Sequence, residues 1–218
     1  MNTLLRADIY RILALGFDFP SRKNLKNIQS ITEDLLSTAT VDPSLQQYLQ
    51  KLKVSAEENL SLESEYHRLF DTQVAAPPCE GGYHLSERGP VVGDITAFYK
   101  AFQMQVMPEQ GPPDHIKMEL GFMSYMALKE KHAEKKGLQE ASEVTRKAQV
   151  TFLEDHLGRW ISPFLERLRD AAAHPFYQTL AKLLEAWIQK ELTNFCIKPT
   201  PLPTQLSQTE EETLSCIH

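Results

Sequence analysis

The sequence predicts an all-α fold, a single-domain multi-helical bundle of about eight to nine helices. Two observations predict it. Apolar residues recur at helical spacing through almost every long segment, and no stretch of useful length alternates apolar with polar residues as a strand would. A third sets its scale: 218 residues, 42% hydrophobic and 24% charged, suffice for one sizeable core, and no internal repeat points to a solenoid.

Leu4, Leu5, Ile9, Ile12, Leu13 and Leu15 form one apolar stripe, which predicts a first helix over Thr3–Gly16 that Pro20 closes off. Ser21 suits the cap of a second helix carrying Leu25, Ile28, Ile31, Leu35 and Leu36. The Asp42-Pro43 pair starts a short third helix with Leu45, Leu49 and Leu52 inward, and a fourth is expected from Ser55 to Phe70. The periodicity then breaks over Asp71–Pro90, where Pro77, Pro78, Gly81, Gly82, Gly89 and Pro90 mix with aromatic and charged residues. So long a loop inside a compact domain is uncommon, and its varied composition favours a functional segment over a disordered one. Helix resumes over Val91–Met104, with Val92, Ile95, Phe98, Tyr99 and Phe102 inward, and yields to an irregular stretch over Gln105–Pro112.

The next helix is announced by Gly111-Pro-Pro-Asp-His115. Its apolar positions are Ile116, Leu120, Met123 and Ala127, it reaches about Lys136, and Gly137 fits its end. Asp114 places negative charge where a helix dipole is positive, so by itself it reads as a cap or first-turn acid, with His115 as a surface histidine. Further helices follow over Leu138–Leu157, Ile161–Ala172 and Pro175–Phe195. Residues 1–195 are thus expected to form the helical domain and 196–218 a flexible C-terminal tail rich in proline and glutamate.

Lys+Arg 23 against Asp+Glu 29 leaves a formal charge of −6, which argues against nucleic acid and suits a basic peptide or protein. Three cysteines at uneven spacing, Cys79, Cys196 and Cys216, do not make a disulfide framework. The first residues run straight into an amphipathic pattern instead of a leader, and no apolar run is long enough to span a bilayer, so a soluble, cytoplasmic protein is expected. No Gly-rich phosphate loop, dinucleotide fingerprint, nucleophile elbow or paired Cys-x-x-Cys site is present. Cys196, Cys216 and His218 would supply soft metal ligands only from a loose terminus, so no metal site is assigned. The methionines over 104–107 and 118–126 read first as core and second as an adaptable peptide-binding surface.

Several segments, taken in order, resemble the TorD/DmsD family of cytoplasmic molybdoenzyme maturation chaperones. Arg6-Ala7 through Tyr10, with Leu13-Ala14 and Pro20, is similar to the family's first helix. Glu65-Tyr66 with Leu69-Phe70 matches its Glu-Tyr-x-x-Leu-Phe segment, and Pro77-Pro78-Cys79-Glu80-Gly81-Gly82-Tyr83 its Pro-Pro loop. Asp94 with Phe98-Tyr99-x-Ala101-Phe102 matches the following helix, and Pro113-Asp114-His115-Ile116 with Glu119-Leu120-x-Phe122-Met123 the most specific motif. Phe152-Leu153, His156-Leu157 and Trp160 resemble a later helix. The resemblance covers roughly residues 4 to 195.

It implies a chaperone that is not an enzyme. Its partners would be the twin-arginine signal peptide and the apo catalytic subunit of a dimethyl-sulfoxide-reductase-like molybdenum oxidoreductase. It would assist cofactor insertion and prevent premature export, acting as a monomer or dimer. No resident cofactor is implied; transient contact with the molybdenum cofactor or GTP is attributed to the family alone. The residues implied in partner binding are Asp114, His115, Tyr83, Glu80, Cys79, Pro113 and Glu119. Cys79 stands where the family has an aromatic residue, which leaves Tyr83 to supply that wall. The alternative from another class is a small-molecule or metal-binding enzyme using Cys79, His84, Asp114 and His115, and it requires those four to converge.

Overall fold

The computed structural model describes residues 2–38, 41–56, 60–85 and 87–203. The helices are α1 (Thr3–Gly16), α2 (Arg22–Ser37), α3 (Pro43–Ser55), α4 (Leu60–Tyr66), α5 (Arg88–Ala101), α6 (Ile116–Lys135), α7 (Gln139–Phe152), α8 (Gly158–Ala171) and α9 (Pro175–Phe195). A π-helical turn over His67–Asp71 continues α4, another over Leu153–Leu157 joins α7 to α8, and a 3₁₀ turn spans Glu80–Tyr83. Among the described residues there is no strand, only an isolated bridge between Cys79 and His115. The bundle is all-α, as expected, and none of these helices is long and apolar enough to cross a membrane.

The caps follow from the sequence. Asn2, Ser21 and Asp42 accept from the N–H of Leu4, Asn24 and Ser44 to start α1, α2 and α3. Gly137, at φ 68°, closes α6, with Leu138 N–H reaching back to Ala133 O at 3.0 Å. The same motif ends α5 early. Gln103 takes φ 62° and Met104 N–H returns to Tyr99 O at 2.8 Å, so the helix stops at Ala101 instead of Met104. The fourth helix begins at Leu60, because α3 itself runs through to Ser55.

α1 lies along α6 and buries Leu5, Ile9, Tyr10, Ile12 and Leu13. α7 covers another side of α6, and α9 packs on α3 and α8. A charged cluster sits inside this packing. Arg6 is 1% exposed and donates to both carboxylate oxygens of Glu191, to Glu130 at 3.1 Å and to Gln149 at 2.8 Å. Tyr10 donates to Glu191 at 3.1 Å, so one network ties α1 to α6, α7 and α9. Glu65 plays a similar part elsewhere: it pairs with Arg68 and accepts from the N–H of Ala173 and His174, fixing the chain between α8 and α9.

The segment before α5 is not a surface loop. Every residue from Ala76 to Tyr83 is buried, so the strap runs through the molecule between α6 and α8. Its backbone groups need partners there. Ile116 N–H donates to Pro78 O at 2.8 Å, and Glu80 N–H donates to Asp114 O at 2.9 Å. Beyond α9, Leu202 N–H donates to Arg159 O at 2.8 Å, so the chain up to Pro203 lies against α8. Cys216 and His218 fall outside the described residues.

Candidate functional site

The strap and the start of α6 meet at Asp114. Its carboxylate has no exposed surface, and three donors converge on it. Arg88 gives a two-pronged contact, Nη2 to Oδ1 at 2.7 Å and Nε to Oδ2 at 2.9 Å, and Gly81 N–H donates to Oδ2 at 3.1 Å. Gly81 is required by this approach. A Cβ there would strike Arg88 Cγ and lie 2.9 Å from Arg88 Cδ and 3.0 Å from Asp114 Oδ2.

Asp114 therefore does not cap α6. That task belongs to His115, whose Nδ1 accepts from Lys117 N–H at 3.1 Å. His115 is also not a surface residue: it is 7% exposed. Burial, helped by the charge of Lys117, pushes its pKa down to about 3, which keeps Nδ1 free of a proton and able to accept.

Behind Asp114 lies a second layer of acid. Glu80 is fully buried between two imidazoles, with His84 Nε2 at 2.9 Å and His156 Nδ1 at 3.2 Å. Burial alone would raise the Glu80 pKa, but hydrogen bonds from His156 and His84 hold it below the usual range. The other face of His156 meets Asp94 at 3.2 Å. Burial works to lower the His156 pKa, and bonding to Glu80 together with the charges of Glu80 and Asp94 outweighs it. Glu119, one turn into α6, accepts from Trp160 Nε1 at 3.1 Å, and its Oε1 has no donor facing it. Burial first, then the charge of Glu80, push the Glu119 pKa well up, which favours its protonated form.

The structure brings every candidate residue together. Cys79 pairs with His115 across the bridge, Glu80 and Gly81 bond Asp114, and Pro113 O accepts from Tyr99 OH at 2.8 Å. Burial then separates their parts. Cys79, Glu80, Tyr83 and Glu119 have no exposed surface. Tyr83 donates to Pro77 O at 3.0 Å and leans on Trp160, so it braces the strap and gives no aromatic wall to a partner. The residue that sequence reasoning missed is Arg88. It lies in the Glu87-Arg-Gly-Pro90 run, and its side chain, 23% exposed, opens to the surface beside Asp114. Pairing a cation at the start of α5 with an acid at the start of α6 needs the fold, and spacing cannot show it.

A cleft of about 520 Å³ opens between α1, α6 and the stretch before α6, with Lys117, two residues past His115, in its wall. Leu15, Met104, Met118, Tyr125 and Leu128 give it apolar walls, and Asp18 and Lys117, paired at 2.8 Å, stand on its rim. Met123 and Met126 lie in the core. Among the described residues no group of His, Cys, Asp and Glu is arranged to hold a metal ion.

Residues 33–166, more than half of the chain, match the family model described as nitrate reductase delta subunit. The chain belongs to this delta-subunit family. Among its relatives, the perchlorate reductase assembly chaperone protein of Dechloromonas aromatica is 26% identical over 207 residues, 88% of this chain and 90% of that one. The chlorate reductase assembly chaperone protein of Ideonella dechloratans is 27% identical over 197 residues, covering 85% and 91%. The Tat proofreading chaperone DmsD of Salmonella typhimurium is 29% identical over 149 residues, 64% of this delta-subunit family chain and 66% of that protein.

Proposed function

We propose that this chain is a system-specific cytoplasmic chaperone for the catalytic subunit of a molybdenum-containing reductase. It takes the subunit's twin-arginine signal peptide at Asp114 and holds the apoenzyme back from export until its cofactor is in place. The relatives that match nearly end to end are named as reductase assembly chaperones, which supports the class. The observation that carries the site is the carboxylate of Asp114, fully buried yet furnished with a guanidinium fork and a backbone N–H. That is a seat shaped for arginine, whose planar fork matches a carboxylate as a lysine ammonium does not. The cleft between α1 and α6 supplies apolar walls for the segment that follows the arginines, and its methionines adapt to varied side chains.

The chain is not an enzyme. Cys79, His84, Asp114 and His115 do converge, so distance does not dismiss that reading. Burial of Cys79, together with the chaperone names of the relatives, does.

The test is co-production of this protein with the tagged catalytic subunit of the reductase encoded beside it, with and without that subunit's N-terminal leader. A complex that forms with the complete apo subunit and weakens when the leader is removed is the expected result. Recovery of the apo subunit alone in both cases refutes the proposal.

A further inference from the structure

Arg88 occupies the seat that the peptide reading assigns to a partner's arginine. We propose that it is a resident occupant: an intramolecular stand-in that must leave Asp114 before an arginine of the partner can enter. The inference rests on the peptide reading for its ligand, and on this chain's geometry for its mechanism.

Asp114 offers no second place. Oδ1 is held by Arg88 Nη2, and Oδ2 by Arg88 Nε and the Gly81 N–H. The carboxylate itself is 0% exposed, and the open edge of the pair is the Arg88 side chain, at 23%. A guanidinium arriving from solvent therefore meets Arg88 first. Two cations cannot share this one carboxylate edge, so entry of one requires exit of the other.

Arg88 is also placed to leave. It is the first residue of α5, where the positive end of the helix dipole disfavours a cation, and Glu87 at the cap position makes no side-chain cap bond. Its stem lies over Gly81, where a Cβ would block it. The bonds that fix the strap to α6, Glu80 N–H to Asp114 O and Ile116 N–H to Pro78 O, do not involve Arg88 and survive its departure. The Gly81 N–H stays behind to orient Asp114 for the incoming group.

An occupant of this kind reduces apparent affinity by the fraction of time the seat is free, and removing it restores the intrinsic value. A purely structural ion pair predicts the reverse, because its loss loosens the site. The sign of the Arg88→Ala effect on binding separates the two.

Full-length wild-type and Arg88→Ala proteins are titrated calorimetrically with the leader peptide and with a leader whose two arginines are alanine. If Arg88 is seated for about nine-tenths of the time, Arg88→Ala binds the arginine leader roughly tenfold more tightly and the alanine leader unchanged. Arginine-leader binding that is equal or weaker overturns the proposal. A second measurement covers a poorly folded variant. Thermal melting of Arg88→Ala is followed with added methylguanidinium chloride against methylammonium chloride. A midpoint raised by methylguanidinium alone, in Arg88→Ala and not in wild type, shows a vacated guanidinium seat, and no such rise overturns it. If neither protein binds either leader, the peptide reading fails, and the melting series alone decides whether the seat exists.

Discussion

Replacing Asp114 with alanine tests how much of the site is also scaffold. The carboxylate is fully buried, and its removal leaves the Gly81 N–H without an acceptor inside the protein. An unsatisfied buried donor costs about 1–3 kcal/mol. Breaking a buried ion pair by removing one partner typically costs about 3–5 kcal/mol, but Arg88 is 23% exposed and can turn its guanidinium to water. Only a part of that cost, about 1 kcal/mol, is therefore expected, for a loss of roughly 2–4 kcal/mol in all. In a chain of this size each kcal/mol lowers the thermal midpoint by about 2–4 °C, so a fall of roughly 5–15 °C is predicted. Urea and thermal unfolding at pH 7, followed by far-ultraviolet circular dichroism, measure it. A loss below about 0.5 kcal/mol would show that Asp114 does not hold the strap as described. The size of the effect matters for function too. Lost peptide binding in Asp114→Ala locates the site only if the variant is shown to be folded at the temperature of the binding experiment.

Other consequences follow from the buried charges. Glu119 has a raised folded-state pKa, so folding holds a proton that the unfolded chain releases above its ordinary carboxylate range. Its contribution is favourable at low pH and lost as pH rises, at up to about 1.4 kcal/mol per pH unit. Glu119→Gln keeps an acceptor for Trp160 and cannot ionise, so it is expected to melt higher than wild type at pH 8, with the gap closing toward pH 5; a constant gap contradicts the assignment. His115 behaves oppositely. Its pKa is pushed down to about 3, so its cap is fully effective above the unfolded value near 6.5 and is lost as pH falls between the two. His115→Asn, which caps without titrating, should flatten the acid limb of the stability curve between pH 6 and 4. Arg6→Ala strands Glu191 at 0% exposure and should cost about 3–5 kcal/mol in urea unfolding. Arg6→Met with Glu191→Leu removes both charges and should be more stable than Arg6→Ala alone.

The helices were legible because their cores are periodic and their ends use residues that announce themselves. α1 and α9 follow from stripes bounded by Pro20 and by the Pro175 start. The sequence pattern shifts the ends of α5 because a glutamine, Gln103, takes the left-handed turn that glycine usually marks, and because Arg88 adds no apolar periodicity to its first turn. The motif residues were found, but their parts were not. Glu65 stands out in the sequence only as part of a family motif, and it anchors the α8–α9 junction through Ala173 and His174. An acid at a helix start reads as a cap whatever else it binds, but the cap is His115, and Asp114 faces away to a strap more than thirty residues distant in sequence. The Arg6–Glu191 pair joins the two ends of the domain, and no local pattern could foreshadow it.

The most direct test of the central claim is calorimetric titration of the full-length protein with the native leader beside one whose two arginines are lysine. A seat made by the Asp114 carboxylate and the Gly81 N–H recognises the arginine fork, so the lysine leader should bind on the order of tenfold more weakly. Asp114→Asn protein, shown to be folded, should lose most of that discrimination. Equal affinity for the two leaders, or full discrimination retained in Asp114→Asn, would contradict recognition of arginine at Asp114.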